Sequence, residues 1–228
     1  MTLSSTAAYA GVEARARQSL GTSSDAIQRM VAAAVQRHAI KGARVFDVGC
    51  GHGALHLTIK DRFVEYHGLD AVRYSGFPES GAFTRIDLDA AVWPVPAGSG
   101  DLVAAVETIE HLENPWAFVR QLAALAAPGG WLVVTTPNQL SLLSLLTLML
   151  KRRFSAFQDT HYPAHRTALL ESDLQRMVEA SGLEVIEIGY SVQGRIPLTG
   201  GHYPSAMSEL WPRALSDNLM IVAKKSRA

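Results

Sequence analysis

The sequence predicts an α/β fold in which a parallel sheet carries helices on both faces. Three observations support this prediction. Short β-branched and apolar runs alternate with helical patterns, one such run passes directly into a glycine-rich turn, and 228 residues suffice for a single domain with a sizeable core. Ligands of such sheets bind outside the carboxyl ends of the strands. We therefore expect the functional residues to follow the strands.

The predicted elements occur in a regular order. Residues 1–22 are rich in Ala, Ser, Thr and Gly without a clear period, which predicts a mobile or loosely helical arm. Apolar residues at helical spacing then predict a helix over 25–38. The elements that follow are strands at 45–48, 64–70, 83–88, 102–106 and 131–135, with helices at 54–60 and 115–126 between them.

Composition and charge limit the classes of function. Lys plus Arg and Asp plus Glu both count 21, so the net charge is zero and no general basic field favours nucleic acid. The single cysteine, Cys50, cannot form an internal disulfide. The chain starts without a charged segment leading into an apolar one, as a secretion signal would, so we expect a cytoplasmic protein.

The glycine-rich turn is the most informative segment. It reads Asp47-Val48-Gly49-Cys50-Gly51-His52-Gly53-Ala54, and its glycines allow both a tight turn and close approach of a ligand to the backbone. The spacing also fits the loose dinucleotide pattern G-x-G-x-x-G/A, so an NAD-binding domain is one alternative. The Asp47 carboxylate would repel a pyrophosphate and suits a cationic ligand such as an ammonium group.

A second acidic residue lies at the sequence spacing that a cofactor-binding turn of this kind predicts. Asp70 ends the second predicted strand and follows Gly51 by 19 positions (70 minus 51), close to the spacing at which an acid accepts both ribose hydroxyls. The alternative is that Asp70 only caps the turn that follows it.

Together with Ile86-Asp87-Leu88, Glu107-Thr108-Ile109-Glu110-His111 and Pro128-Gly129-Gly130, these motifs resemble the class I S-adenosylmethionine (SAM)-dependent methyltransferases. The resemblance covers residues 27–189 and is to the branch of ubiquinone-type and small-molecule O-methyltransferases. It implies a Rossmann-like seven-stranded sheet, mostly parallel, with a C-terminal antiparallel hairpin from 183–190 and 218–224. It also implies the SAM-binding residues, which are Asp47, Gly49, Cys50, Gly51, Asp70, Ala71, Asp87, Leu88 and Glu107.

His111, with Glu110 beside it, is the predicted catalytic group. Imidazole titrates near working pH, and the motif places His111 near the cofactor, where it can take the proton of a hydroxyl acceptor. A purely structural role, in which His111 only bonds the backbone of the turn, is the alternative.

The same segment has a second interpretation as a metal site. Glu107, Glu110 and His111 lie on one face if the turn is helical, and the E-x-x-E-H spelling resembles a metal site of small-RNA 2′-O-methyltransferases and some ubiquinone-pathway enzymes. His165, or failing that His161, would be the further ligand. Because metal-free relatives share the spelling, a divalent metal is the less favoured alternative.

Two long segments are expected to be lids or substrate-side insertions, at 139–165 and 191–217. Within the first, residues 140–150 are apolar except for a narrow stripe of Ser and Thr. This pattern predicts a lid or a dimer contact, and the basic triplet at 151–153 adds peripheral membrane contact through 140–153 as an alternative.

The sequence therefore predicts a single-domain SAM-dependent methyltransferase, monomeric or homodimeric, that methylates an oxygen of a small or lipid-like hydroxylated acceptor. A quinone, a glycan or a secondary metabolite fits this description. The alternatives are a metal-assisted RNA 2′-O-methyltransferase, disfavoured by the neutral charge, and a catalytically silent SAM-binding partner subunit.

Overall fold

The computed structural model describes residues 3–227, with side chains described for residues 11–227. In this part of the chain, the strands are β1 Gly42–Val48, β2 Phe63–Asp70, β3 Ala82–Arg85, β4 Gly100–Ala105, β5 Ala126–Pro137, β6 Leu183–Tyr190 and β7 Asn218–Lys225. The α-helices are α1 Leu3–Gln18, α2 Asp25–Arg37, α3 Ala54–Ile59, α4 Pro115–Leu125, α5 Leu142–Lys151, α6 Glu171–Ala180 and α7 Ser205–Leu210.

The seven strands form one sheet in the order β3-β2-β1-β4-β5-β7-β6. Strands β1 to β5 are parallel, and β7 runs antiparallel to both of its neighbours, β5 and β6. The predicted fold class, including the C-terminal antiparallel hairpin, is confirmed. The strand order reverses between β1 and β4, which opens a crevice at their carboxyl ends where such folds bind ligands.

Both faces of the sheet are buried, as a parallel sheet requires. Alternate residues of β1 and β4 face opposite sides, so that Phe46 and Val103 pack with α4 and α6, whereas Val45 and Leu102 pack with α2 and α3. Local signals set the helix boundaries. Asn114 caps α4 by accepting a hydrogen bond from the Ala117 N–H at 3.0 Å.

Several predicted segments differ in the structure; for example, β1 begins at Gly42 rather than 45. Strand β3 ends at Arg85 rather than 88, because the Asp87 carboxylate accepts the Asp89 N–H at 3.0 Å and turns the chain. Strand β5 begins at Ala126 rather than 131, so that it includes the Pro-Gly-Gly run. Its pairing with β4 is irregular in this part. Much of the expected N-terminal arm forms α1, while residues 1 and 2 lie outside the described residues.

The two expected lid segments each contain a helix. Segment 139–165 contains α5 and a 3₁₀ turn at Asp159–His161, and segment 191–217 contains α7 and a bridge between Arg195 and His202. Among the described residues, no helix combines the length and apolar character needed to cross a bilayer.

Candidate functional site

The glycine turn after β1 is packed tightly on two sides. Gly49 and Gly51 have φ angles of +74° and +49°, which favour glycine. A Cβ at Gly49 would lie 2.2 Å from Oγ1 of Thr108, and one at Gly51 would lie 2.2 Å from the carbonyl oxygen of Gly21. The turn therefore requires glycine for its contacts as well as for its conformation.

Asp70 connects the end of β2 to this turn. Its Oδ2 accepts the Gly51 N–H at 2.9 Å and its Oδ1 accepts the Val72 N–H at 3.2 Å. Burial raises the pKa of Asp70, and the backbone N–H groups of Gly51 and Val72 oppose that rise. Each carboxylate oxygen retains a lone pair, so Asp70 can still accept hydrogen bonds from a ligand.

Asp47 is buried and has a partner that sequence reasoning missed. The hydroxyl of Tyr66 donates to Oδ2 of Asp47 at 2.5 Å. Burial raises the pKa of Asp47 to about 7, against the lowering effect of this hydrogen bond. Tyr66, Gly68 and Asp70 alternate along β2, so strand parity could have indicated that Tyr66 shares a face with Asp70.

One cavity of about 680 Å³ joins the predicted residues, a volume typical of small-molecule sites. It is lined by the predicted cofactor residues Asp47, Gly49, Cys50, Asp70, Ala71, Asp87, Leu88 and Glu107, and by Glu110, His111, His161 and His165. Gly51 is the predicted cofactor residue that does not line it. Its N–H is held by Asp70, and Gly21 packs against it.

The N-terminal segment forms a wall of this cavity, which sequence reasoning also missed. Residues from Val12 to Gln28 contribute lining atoms. The Tyr74 hydroxyl donates to the Ala16 carbonyl at 2.7 Å, and the His52 N–H donates to the Gly21 carbonyl at 3.1 Å. Because the N-terminal segment makes both of these contacts through backbone carbonyls, the composition of 1–22 carries little signal for them.

Glu110, His111 and His165 meet in the same cavity. Nδ1 of His111 lies 2.9 Å from the Ala164 carbonyl, and Nδ1 of His165 lies 2.7 Å from the Ala156 carbonyl. A carbonyl oxygen only accepts, so each Nδ1 carries a proton and each neutral ring leaves Nε2 with a free lone pair. One ligand atom from each of the three residues lies within 4.8 Å of the others.

Burial dominates the electrostatics of this cluster. It raises the pKa of Glu110 to about 8, although the Thr136 hydroxyl donates to Oε2 at 3.1 Å. It also lowers the pKa of His111, and that of His165 to about 4. Both imidazoles are therefore neutral at pH 7. Nε2 of His111 lies 4.0 Å from Oε1 of Glu110, too long for a hydrogen bond and short enough for one bridging atom.

The other two predicted ligands lie outside the cluster. The Glu107 carboxylate accepts hydrogen bonds from the Thr135 hydroxyl at 2.8 Å and from Nδ2 of Asn218 at 2.7 Å. Glu107 has a φ of +50°, so the turn is not the regular helix that would align it with Glu110. Nδ1 of His161 accepts the Gln158 N–H at 3.2 Å, and its ring stacks on His165.

A second cavity of about 370 Å³ borders Glu107 and His165. Its walls come from both predicted lid segments, including Ser155, Ala156, Gln193 and Asp217. Arg195 also lines it, and its guanidinium pairs with the Asp217 carboxylate at 2.5 Å. Parts of both predicted lid segments therefore line a cavity together with His165.

The sequence model of a family described as a methyltransferase domain matches residues 16–188. A ubiquinone biosynthesis O-methyltransferase of Burkholderia thailandensis is 29% identical over 166 residues, which are 68% of this chain and 70% of that protein.

Solved structures of low sequence identity share the fold. A SAM-dependent methyltransferase from Archaeoglobus fulgidus has a TM-score of 0.63 at 19% identity, covering 87% of this chain and 94% of that one. The magnesium protoporphyrin IX methyltransferase of Synechocystis, solved with bound S-adenosylhomocysteine (SAH), has a TM-score of 0.56 at 17% identity, covering 88% and 81%.

Proposed function

The chain belongs to the class I SAM-dependent methyltransferases, and from this premise we propose that it methylates a hydroxyl oxygen of a small or lipid-like acceptor. The observation that carries the proposal is that His111, whose Nδ1–H contact to the Ala164 carbonyl leaves Nε2 unprotonated, lines the same cavity as the cofactor acids. A proton acceptor beside the methyl donor is what a hydroxyl nucleophile needs. The name of the Burkholderia relative favours an acceptor of the quinone type.

The cavity fits SAM by the chemistry of its lining groups. Asp47, Asp70 and Asp87 lie at or beyond the carboxyl ends of the first three strands. We assign Asp47 to the ammonium group of the methionine part, Asp70 to the ribose hydroxyls and Asp87 to the adenine amino group. Leu88 is buried and would pack near the adenine ring.

When bound, SAM supplies an electrophilic methyl group on a positively charged sulfur. Transfer of that methyl group to the acceptor oxygen would leave SAH as the other product. In the proposed mechanism, Nε2 of His111 takes the hydroxyl proton, while Nδ1–H stays on the Ala164 carbonyl and fixes the ring. The wall formed by residues 12–28 helps exclude water from the reacting groups.

The direct test is SAH production from SAM with a set of hydroxylated acceptors, including catechols, hydroxylated quinols with isoprenoid tails, and sugars. Each acceptor is paired with the same compound already methylated at the hydroxyl. We expect turnover with at least one free hydroxyl compound and none with its methylated partner. SAM binding without turnover on any acceptor would favour a silent partner subunit instead.

A metal-assisted version is the second candidate, because the donor set fits a divalent cation. Two unprotonated imidazole nitrogens and a buried carboxyl group converge, and both rings donate their other N–H to a backbone carbonyl, as metal-bound histidines usually do. Glu110, His111 and His165 would hold the ion, which would lower the pKa of the acceptor hydroxyl. Two nitrogen donors favour Mn²⁺ over Mg²⁺, which prefers oxygen.

A further inference from the structure

Helix α5 has its polar stripe buried and its apolar side exposed, the reverse of a normal surface helix. The Ser141 hydroxyl caps the helix by accepting the Ser144 N–H at 3.2 Å, and Ser144 is fully buried. Oγ of Ser144 in turn accepts the Ser155 N–H at 3.2 Å. The polar groups of this stripe are therefore satisfied inside the protein.

The outward side of α5 is a row of large apolar side chains. Met149 is 76% exposed and Leu150 is 78% exposed, and the remaining exposed members of the row are Leu142, Leu145 and Leu148. Single exposed apolar residues are common on protein surfaces, but five on one helix of ten residues mark an interaction surface. We call this row the α5 apolar row.

A second exposed apolar group lies next to the start of α5. The Leu142 N–H donates to the Ala214 carbonyl at 2.8 Å, and Nδ2 of Asn138 donates to the Arg213 carbonyl at 2.7 Å. These bonds attach the segment after α7, where Trp211 is 59% exposed, to the start of α5. Exposed tryptophan is a side chain that favours the boundary between lipid and water.

The charge at the end of α5 identifies the partner. Lys151 and Arg152 are exposed, and within the described part of the chain neither has an ion-pair partner, whereas Arg153 pairs with Asp159. Helix α5 contains no Asp or Glu, so the same helix of a second copy would offer these cations no acid. An anionic surface beside an apolar layer satisfies both features.

We propose that α5 docks this protein on the surface of an anionic lipid bilayer, with the α5 apolar row inserted among the acyl chains and Lys151 and Arg152 at the headgroups. Ten residues are too few to span a bilayer, so the contact is peripheral. Residues 155, 156, 161 and 165, which follow α5, line the second cavity, so docking would hold that cavity near the membrane.

The test is co-sedimentation of the full chain with vesicles, without SAM or acceptor, so that it is independent of methyl transfer. Vesicles of phosphatidylcholine alone are compared with vesicles containing one-third phosphatidylglycerol. We expect binding to the anionic vesicles that weakens with added salt. Replacing Met149 and Leu150 by Glu should reduce that binding at least about tenfold, because two inserted apolar side chains are lost.

Two further variants separate charge from insertion. The Lys151→Glu/Arg152→Glu variant should lose the preference for phosphatidylglycerol. Leu57→Glu is the matched control, since Leu57 is 71% exposed on α3, and it should bind vesicles like wild type. Circular dichroism confirms that each variant is folded.

Binding of wild type to neither vesicle would overturn the proposal, as would unchanged binding of the folded Met149→Glu/Leu150→Glu variant. Light scattering tests the alternative that a second copy of the protein covers this surface. A wild-type dimer that dissociates in the same variant, with no vesicle binding, would assign the α5 apolar row to contact between two copies.

Discussion

The Tyr66 hydroxyl and the Asp47 carboxylate form a 2.5 Å hydrogen bond beneath the glycine turn. No lysine or arginine pairs with Asp47 among the described residues, and burial raises its pKa to about 7. A buried carboxyl group with a single neutral donor is costly to ionise. Ionisation of Asp47 becomes favourable when a cation binds beside it. In the proposed function this cation is the ammonium group of SAM.

Replacing Asp47 by Asn should weaken SAM binding and stabilise the ligand-free protein. The folded pKa of about 7 lies above the ordinary value of 3.8, so the contribution of Asp47 to stability is present at low pH and is lost as pH rises through 7. We therefore expect the free energy of unfolding of ligand-free Asp47→Asn to exceed that of wild type by roughly 2–4 kcal/mol at pH 8. This difference should shrink as the pH falls towards about 4.5. Thermal denaturation across this pH range measures it, and calorimetry measures SAM affinity.

Replacing Tyr66 by Phe should shift the pH dependence of SAM binding to higher pH. The Tyr66 hydroxyl lowers the pKa of Asp47, so its loss raises that pKa further and leaves less carboxylate at pH 7. SAM affinity of Tyr66→Phe should be weaker at pH 7 and recover at higher pH. Tyr190→Phe is the control, because Tyr190 also donates to a carboxylate, that of Glu171, outside the cavity. Identical pH profiles for wild type and Tyr66→Phe would contradict the role given to this pair.

Replacing Asp70 by Ala should reduce SAM affinity by about 1–3 kcal/mol, since a charged acceptor for the ribose hydroxyls is lost. The variant also leaves the Gly51 N–H without its partner, so thermal stability should fall as well. Asp70→Asn keeps an oxygen for that N–H and separates the two effects. If both variants bind SAM like wild type in calorimetry, Asp70 serves only the turn.

The sheet and the grouping of Asp47, Asp70 and Asp87 in one cavity could be predicted because their signals are local. Glycines spaced by two after a β-branched run, and an acid at the end of the next strand, depend on residues close in sequence. Asp47, Asp70 and Asp87 indeed line one cavity. The end of β3 was predicted three residues too late, because an Asx turn at Asp87 competes with strand pairing.

The part of the cavity around Glu107 and Glu110 depends on contacts between distant segments, which explains what the sequence did not reveal. Glu107 and Glu110 differ by three positions, yet the left-handed conformation of Glu107 sends its carboxylate to Thr135 and Asn218. Thr108 packs on Gly49 across 59 positions (108 minus 49). The N-terminal wall is held partly by backbone carbonyls, which any residue type supplies.

Replacing Asp87 by Ala should weaken SAM binding more than it lowers turnover at saturating SAM. The proposed contact is to adenine, remote from the reacting methyl group. Its loss should therefore weaken the binding of SAM in the ground state and in the transition state about equally. Steady-state kinetics should show a raised KM for SAM with kcat nearly unchanged. The reverse pattern, full affinity with lost turnover, would assign Asp87 to the acceptor.

Replacing His111 by Ala should lower turnover by about 10²–10⁴ while leaving SAM affinity nearly intact, because a general base contributes that order. His67→Gln is the control, since His67 is a partly buried histidine of β2 that bonds Thr84 away from the cavity.

Chelation then separates the two roles of His111. If EDTA leaves wild-type turnover unchanged and calorimetry shows no Mn²⁺ binding, His111 acts as the base. If EDTA abolishes turnover and Mn²⁺ restores it, the ion is held by Glu110, His111 and His165, and His165→Ala should bind Mn²⁺ more weakly in calorimetry. Full turnover of His111→Ala on a verified acceptor would exclude both roles, and alignment of the acceptor beside SAM would then have to account for the rate.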